Sequence, residues 1–415
     1  MKIVHIGTAD NSGGAARASF QLHEGLLRSG HDSRMLVGQK FEQRPEIERI
    51  GYDRNIPGRI GTRLVLEFEK LTGLQYLTTP WRSRFAKHPF ARSADVFQLH
   101  NLHGNFFSPR TLPQLSRIAP LVWTLHDVWS MTGHCTYNYD CERWRTGCGS
   151  CPDLNDHPKI MIDTTAFLWR TKKRLYAQSD ITVVAPSKWL ASMASESPLL
   201  GRFEVHHIPY GLDLEKAKPM NRQQARQELG IPADAVVIMI VTLAGGERKG
   251  TDCFLRALPQ MLTTQKPWIL VVGSKGLLRP VPAQFNLVEV GYLKSSQEMM
   301  RCYSAADVVA LPTLADNLPV TLLEAAACGT PAVAFKVGGV PDIVRHMETG
   351  YLSNHRDPID LARGLDLLVD DANLRASMGA RARHMMLTEF SADLQVRRYE
   401  DLYRTLGERR ATHPN

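Results

Sequence analysis

The sequence predicts an α/β protein of two parallel-sheet domains, and three observations carry that expectation. At 415 residues the chain exceeds one compact core and suits two domains of roughly 200 residues each. Short continuous apolar runs, such as 235–242 (Ala-Val-Val-Ile-Met-Ile-Val-Thr), suit strands buried on both faces of a parallel sheet. The stretch 307–331 reads as strand, tight loop, helix and stop: an apolar run to Leu311, Pro319 in the first helical turn, then Gly329 and Pro331 ending the helix.

Composition narrows the class further. Hydrophobic residues make up 43% and charged residues 22%, ordinary for a globular chain in water. The opening Met1-Lys2-Ile3-Val4-His5-Ile6-Gly7 is too short an apolar run for a signal peptide and reads as a first strand. No stretch approaches the roughly eighteen apolar residues of a membrane-spanning helix. Seven cysteines, scattered without a disulfide framework, point to the cytosol. A net charge of +8 and a pI near 9.1 admit nucleic acid, an anionic membrane or anionic substrates as partners. The basic groups gather around Arg82 to Arg92, Arg170 to Arg174 and the C-terminus without any nucleic-acid-binding signature, so nucleic acid is not expected.

From the N-terminus, residues 2–6 form a strand, 7–14 a loop, 15–27 a helix and 33–37 the next strand. Gly13-Gly14 lets backbone N–H groups approach a ligand where a helix opens; a plain turn is the alternative, and no dinucleotide fingerprint is present. Residues 41–93 break the alternation. Within them Trp81, Arg82, Arg84, Phe85, Lys87, Phe90 and Arg92 interleave aromatic and basic groups, suiting either an anionic membrane interface or a solvated loop packed by its aromatics. Strands at 95–99 and 121–125 end in His100, His103 and His126-Asp127, at the strand ends where α/β folds hold ligands.

An insert at 131–152 carries Cys135, Cys141, Cys148 and Cys151. Thiols crowded in this way suggest a closed, structural Zn²⁺ site, with Gly147 and Gly149 permitting tight turns around Cys148. Only one C-x2-C pair is present, so free thiols are the alternative, and an iron–sulfur cluster ranks below both. Residues 181–187 form a strand into a helix, and a crossover at 207–213 marks the domain boundary.

The second domain opens with the strand 235–242 and the loop 244–250, where Arg248 and Lys249 stand among glycines as a diphosphate clamp or a surface turn. Further strands are read at 269–273 and 307–311. The N–H groups of Leu318, Val320 and Thr321 at the following helix start can hold an anion. Asp316 and Glu324 bracket that position. Carboxylates accept hydrogen bonds from hydroxyls, so a diphosphate cradle flanked by them describes a nucleotide-sugar site. The alternative is a plain strand–helix unit with Asp316 capping the turn and Glu324 interacting with the helix dipole. From 361 onward the pattern is helical.

The segment from Asp316-Asn317-Leu318-Pro319 to Glu324-Ala325-Ala326-Ala327-Cys328-Gly329-Thr330-Pro331 resembles the acidic signature of the retaining glycosyltransferases of family 4. Thr124-Leu125-His126-Asp127, Arg248-Lys249-Gly250, the 338–342 turn and the 208–213 crossover are similar to further elements of that family. The block 123–152 resembles its exopolysaccharide, colanic-acid-type subgroup. Asp316, Tyr210 and Asp342 depart from the commoner Glu, Asn and Glu.

The resemblance implies a GT-B architecture: two Rossmann-like domains facing across a cleft, at 1–207 and 208–380, with a C-terminal helix at 381–415 crossing back. It implies transfer of a sugar, with retention, from a GDP- or UDP-sugar to a hydroxyl of a glycan acceptor, lipid-diphosphate-linked, in the cytoplasm at the inner face of the plasma membrane. Glu324 would bind the donor ribose, and Asp316 the transferred sugar. Arg248, Lys249, Asn317, Leu318, Val320 and Thr321 would hold the rest of the donor. Gly13-Gly14 would lie opposite the diphosphate, and His126 at the sugar and acceptor. No Asp-x-Asp triplet occurs, so no metal cofactor is expected for catalysis. A GT-B nucleotide-sugar epimerase and a non-catalytic sugar-binding protein are the competing readings.

Overall fold

The structure is a computed structural model that describes residues 1–51, 56–79, 82–242, 247–293 and 295–412, with the side chains of 56–59, 82 and 83 not described. Trp81 and the 244–246 part of the glycine loop lie outside the described residues. The chain divides into two compact units, Met1–Gly211 together with the chain from Asp393 onward, and Leu212–Ala392.

In the first unit, β1 (Lys2–Ala9), β2 (Asp32–Gln39), β3 (Ile47–Arg49), β4 (Val96–Leu99), β5 (Leu121–Thr124), β6 (Ile181–Ala185) and β7 (Val205–His207) form one sheet in the order β3-β2-β1-β4-β5-β6-β7. Every pairing is parallel. Strands buried on both faces explain the continuous apolar runs. One face packs Val4, Ile6, Phe97, Leu99 and Trp123 into the larger core. The other places Ile3, Val96, Val122 and Val184 under Leu22 and Leu26 of the helix Gly14–Arg28 and under Val396, Tyr399 and Tyr403 of the final helix, Ala392–Thr412. The final helix is fastened by polar contacts too: Tyr403 bonds Gln98 at 2.7 Å, and Tyr399 bonds Thr124 at 2.6 Å.

In the second unit, β8 (Val237–Thr242), β9 (Trp268–Gly273), β10 (Asn286–Gly291), β11 (Val308–Leu311), β12 (Ala332–Phe335) and β13 (Gly350–Ser353) pair in the order β10-β9-β8-β11-β12-β13, again all parallel. In both sheets the order reverses direction beside the first strand, between β1 and β4 and between β8 and β11. Loops leaving the carboxyl ends of those strands border the crevice where such sheets bind ligands.

Three details differ from the sequence reading. The first unit runs through Gly211 rather than 207, because Tyr210 and Gly211 are tied into it by His126 and Gln395. The chain returns at 393 rather than 381: the helix Ala372–Glu389 buries Met378, Ala382, Met385 and Met386 within the second unit. Residues 41–93, expected to break the alternation, supply the edge strand β3 and the helices Ile56–Thr72, Arg82–Lys87 and Pro89–Arg92. Phe85, expected at an interface or in a loop, is fully buried against Phe106 and Phe107.

Candidate functional site

In the second unit, three loops meet at the β8/β11 switch point. The residues Arg248 and Lys249 lie in a single 3₁₀ turn, Glu247–Lys249. Gly250 follows with φ +71°, and a Cβ there would stand 1.7 Å from the Pro312 carbonyl oxygen. Only glycine lets the basic turn pass that close to the loop after β11. Leu314 N–H and Thr313 Oγ1 donate to the Arg248 carbonyl at 2.7 and 3.1 Å, sewing the two loops together. Gly338, at φ +53°, does the same on the other side, where a Cβ would meet the Asp316 carbonyl oxygen at 2.0 Å.

These contacts bring Arg248, Lys249 and Asp316 together. Asp316 Oδ2 accepts from Lys249 Nζ at 2.8 Å and from Arg248 Nη1 at 3.2 Å. Burial pushes the Asp316 carboxyl up, yet Lys249 and Arg248 outweigh it and hold the group below its ordinary range. Two cations face this one carboxylate beside the start of the helix Val320–Ala327, whose first N–H groups precede any carbonyl partner within the helix. Pro319, expected inside the first turn, is the capping residue just before it. Asn317 and Leu318 are buried in the loop, while Val320 and Thr321 are half-buried at the helix start. Glu324, one turn on, accepts from the Tyr303 hydroxyl at 2.9 Å. Tyr303 was not legible as a site residue, because its helical spacing marks it only as core.

The first unit places Gly13 at φ +91° as the residue before the helix Gly14–Arg28, with open space around both glycines. Asp10 anchors that loop by accepting from the N–H groups of Asn11, Phe41 and Glu42. Across the central strands runs a file of imidazoles. His5 Nδ1 lies 3.0 Å from His100 Nε2, His100 Nδ1 lies 3.0 Å from His126 Nε2, and His126 Nδ1 lies 2.6 Å from the Tyr210 hydroxyl. A neutral imidazole has one N–H and one lone pair, so the donors in this file all point the same way. Both nitrogens of His126 are engaged, which leaves it no spare lone pair for taking a proton from a hydroxyl. Tyr210, the departure noted in the crossover, is the partner that completes the file. His103 forms a separate pair with Asp127 at 2.9 Å, and Asp127 also accepts from Trp129 N–H at 2.9 Å.

Burial lowers the pKa of each imidazole in this file: His5 and His100 fall well below 6.5, and His126 falls to about 4. Nearby His23 also falls to about 4, through burial and then Arg44. A histidine held neutral in the fold takes up its proton more readily when unfolded. Its stabilisation is complete above pH 6.5 and drains away as pH falls towards the folded value. Within that window we expect stability to fall by about 1.4 kcal/mol per pH unit for each such histidine. Urea unfolding midpoints between pH 7 and pH 5 measure this, and a flat profile would refute it.

Two parallel sheets of this order, with a basic turn and a carboxylate-flanked helix start at a switch point, define an α/β protein of the Rossmann-like type. A family model described as Glycosyltransferase Family 4 matches residues 12–216, and one described as Glycosyl transferases group 1 matches residues 221–385. The chain belongs to these glycosyltransferases and is a transferase. Over 349 residues it is 24% identical to an Escherichia coli (strain K12) protein bearing the provisional name colanic acid biosynthesis glycosyl transferase WcaC, covering 80% of this chain and 83% of that one. Among solved structures, sucrose-phosphate synthase (tll1590) from Thermosynechococcus elongatus superposes with a TM-score of 0.68 at 17% identity, over 98% of this chain and 99% of that one. Anabaena Alr3699/HepE in complex with UDP-glucose gives 0.67 at 16% identity, over 97% and 99%. The fold is GT-B.

Proposed function

We propose that the protein transfers a sugar from a nucleoside diphosphate sugar, with retention and without a catalytic metal, to a hydroxyl of a lipid-diphosphate-linked glycan during bacterial exopolysaccharide assembly. The grouping of Arg248, Lys249 and Asp316 beside the helix start at Val320 is the observation that carries this reading. In it, Arg248, Lys249 and the N–H groups of Leu318, Val320 and Thr321 neutralise the donor diphosphate, with Asn317 shaping the loop. Glu324, steadied by Tyr303, accepts from ribose hydroxyls. Asp316, freed in part when phosphate draws the two cations away, accepts from hydroxyls of the transferred sugar. Gly13, Gly14 and His126 are the first unit's contribution, assigned by family resemblance. As the bond from C1 of the sugar to the phosphate oxygen breaks, the acceptor oxygen bonds C1 on the same face. Its proton passes to the departing phosphate oxygen, so no protein nucleophile is assigned.

The test is a thermal-shift screen of UDP, GDP, ADP and their common sugars, followed by incubation of the bound donor with and without an acceptor glycan. A ligand that binds only the folded state raises its stability with the logarithm of its concentration. We expect one nucleotide family to shift the transition and product to form only when acceptor is present. Change of the donor sugar without acceptor would mark an epimerase instead. Binding without turnover in either case would mark a non-catalytic binding protein.

We also propose peripheral contact with an anionic membrane, at the cytoplasmic face. Support comes from the helix Ile56–Thr72 rather than from the buried Phe85: Ile60, Leu64, Phe68 and Leu71 are all exposed and recur at helical spacing, with exposed Arg63 and Lys70 nearby. Among the described residues no helix is long and apolar enough to cross a membrane. Sedimentation with vesicles containing anionic lipid is expected to carry the protein down, and Leu64→Asp to release it. Equal sedimentation of both proteins would remove this surface.

A further inference from the structure

The four cysteines of the insert converge in the folded chain. Cys135, Cys141, Cys148 and Cys151 line one cavity of about 20 Å³ together with His134. Such a volume holds a single water or ion. None of the four is in a disulfide, and each is half-buried.

The backbone around Cys148 is costly in itself. Gly147, Cys148, Gly149 and Ser150 take φ values of +118°, +57°, +92° and +46° in succession. Non-glycine residues held at positive φ cost of order 1–3 kcal/mol each and persist where the surroundings over-determine them. Part of that restraint is visible. Gly133 N–H points at Cys148 Sγ at 3.2 Å, Gly149 N–H donates to Thr165 Oγ1 at 2.9 Å, and Arg143 Nη1 donates to the Gly149 carbonyl at 3.0 Å. His134 sits with Nδ1 3.1 Å from the Pro158 carbonyl and Nε2 3.3 Å from Cys151 Sγ, so its orientation towards the sulfurs is fixed from behind. Among the described residues no three His, Cys, Asp or Glu side chains stand where they could hold a metal ion as the chain lies, so metal capture requires the sulfurs to draw inward.

We propose that Cys135, Cys141, Cys148 and Cys151 bind one structural Zn²⁺ as thiolates, releasing their four protons to solvent, and that this ion locks the insert behind the His126-Asp127 loop. The mechanical connection is explicit. Val128 N–H donates to the Thr136 carbonyl at 3.1 Å, and Thr132 Oγ1 donates to the Cys135 carbonyl at 2.6 Å. Lys172 Nζ, fully buried at the back of the insert, donates to the Trp129 and Thr132 carbonyls at 2.6 and 3.0 Å. An ion that gathers the four sulfurs therefore fixes the ends of the segment that leads out of Asp127. Sulfur-only ligation with no open position suits zinc in a structural role.

The test uses the full chain without a histidine tag, purified in reducing buffer, and does not depend on any sugar donor. Elemental analysis is expected to give about one zinc per chain, and X-ray absorption a shell of sulfur at about 2.3 Å. The Cys148→Ser and Cys151→Ser variants are each expected to lose most of the bound zinc and to unfold at lower temperature. Where a variant does not fold, the wild-type chain supplies the answer: a strong chelator should release the zinc, expose four thiols to titration and lower the unfolding temperature. Folded protein that carries no zinc and whose four thiols react without chelator would overturn the proposal. So would iron in place of zinc, or zinc retained in full by both serine variants.

Discussion

Lys249→Ala is expected to lower the rate of sugar transfer by about 10²-fold or more, the usual cost of removing one preorganised group that meets developing charge. The charge arithmetic at the site explains the size. Lys249 and Arg248 both face Asp316, beside the partial positive charge of the helix start that would meet a diphosphate. Without Lys249 the group loses one full positive charge. Stability should barely change, because the Lys249 side chain is one-fifth exposed and Asp316 retains Arg248 as its partner. Lys249→Arg preserves the charge and should recover part of the rate. Steady-state turnover measured beside unfolding temperature separates the roles. Near wild-type turnover for the alanine variant would remove the clamp assignment, and equal losses of stability and rate would make Lys249 structural.

The largest expected effect on stability belongs to a residue outside the site. Asp307 sits just ahead of β11, where it is the shared acceptor of Arg226 Nη2 at 2.7 Å, Val237 N–H at 2.7 Å and Arg222, with Arg375 at 3.6 Å. Arg226 and Asp307 are both buried. Asp307→Ala would strand buried positive charge, and breaking one side of such a pair costs about 3–5 kcal/mol. That is a large share of the roughly 5–15 kcal/mol by which a domain is stable. Urea unfolding followed by probes in the second unit should show its transition moving to lower denaturant. A loss below about 1 kcal/mol would mean that the arginines reach water as easily as they reach Asp307.

The same residue illustrates what the sequence could reveal. Asp307 reads locally as the start of an apolar strand, and nothing nearby announces that three arginines from distant helices converge on it. The sheets themselves were legible because parallel strands covered on both faces must be apolar throughout. Residues 41–93 were not: β3 is three residues long, and the helix Ile56–Thr72 wears apolar groups on its exposed side, which blurs the periodic signal. Within the site, the segment from Asp316 to Pro331 was legible because Pro319, Gly329 and Pro331 punctuate it. The pairing of Asp316 with Arg248 and Lys249 was not, since it joins two loops far apart in the chain. His5 gave a faint signal as a histidine in the middle of a central strand, where an apolar residue is the norm. Its place at the head of the imidazole file is visible only in three dimensions.

The crossing points between the units have a consequence for engineering. Leu212 N–H donates to the Phe390 carbonyl and Ala392 N–H donates to the Leu212 carbonyl, both at 2.9 Å, so the two ends of the second unit lie side by side. A segment whose entrance and exit adjoin is a cassette. Excision of 212–392 and its insertion into another host at that one seam are expected to leave its sheet intact, which circular dichroism of the excised segment checks. The first unit has no such freedom: without the chain after 393, Gln98 and Thr124 lose the tyrosines that answer their polar groups in the middle of its sheet.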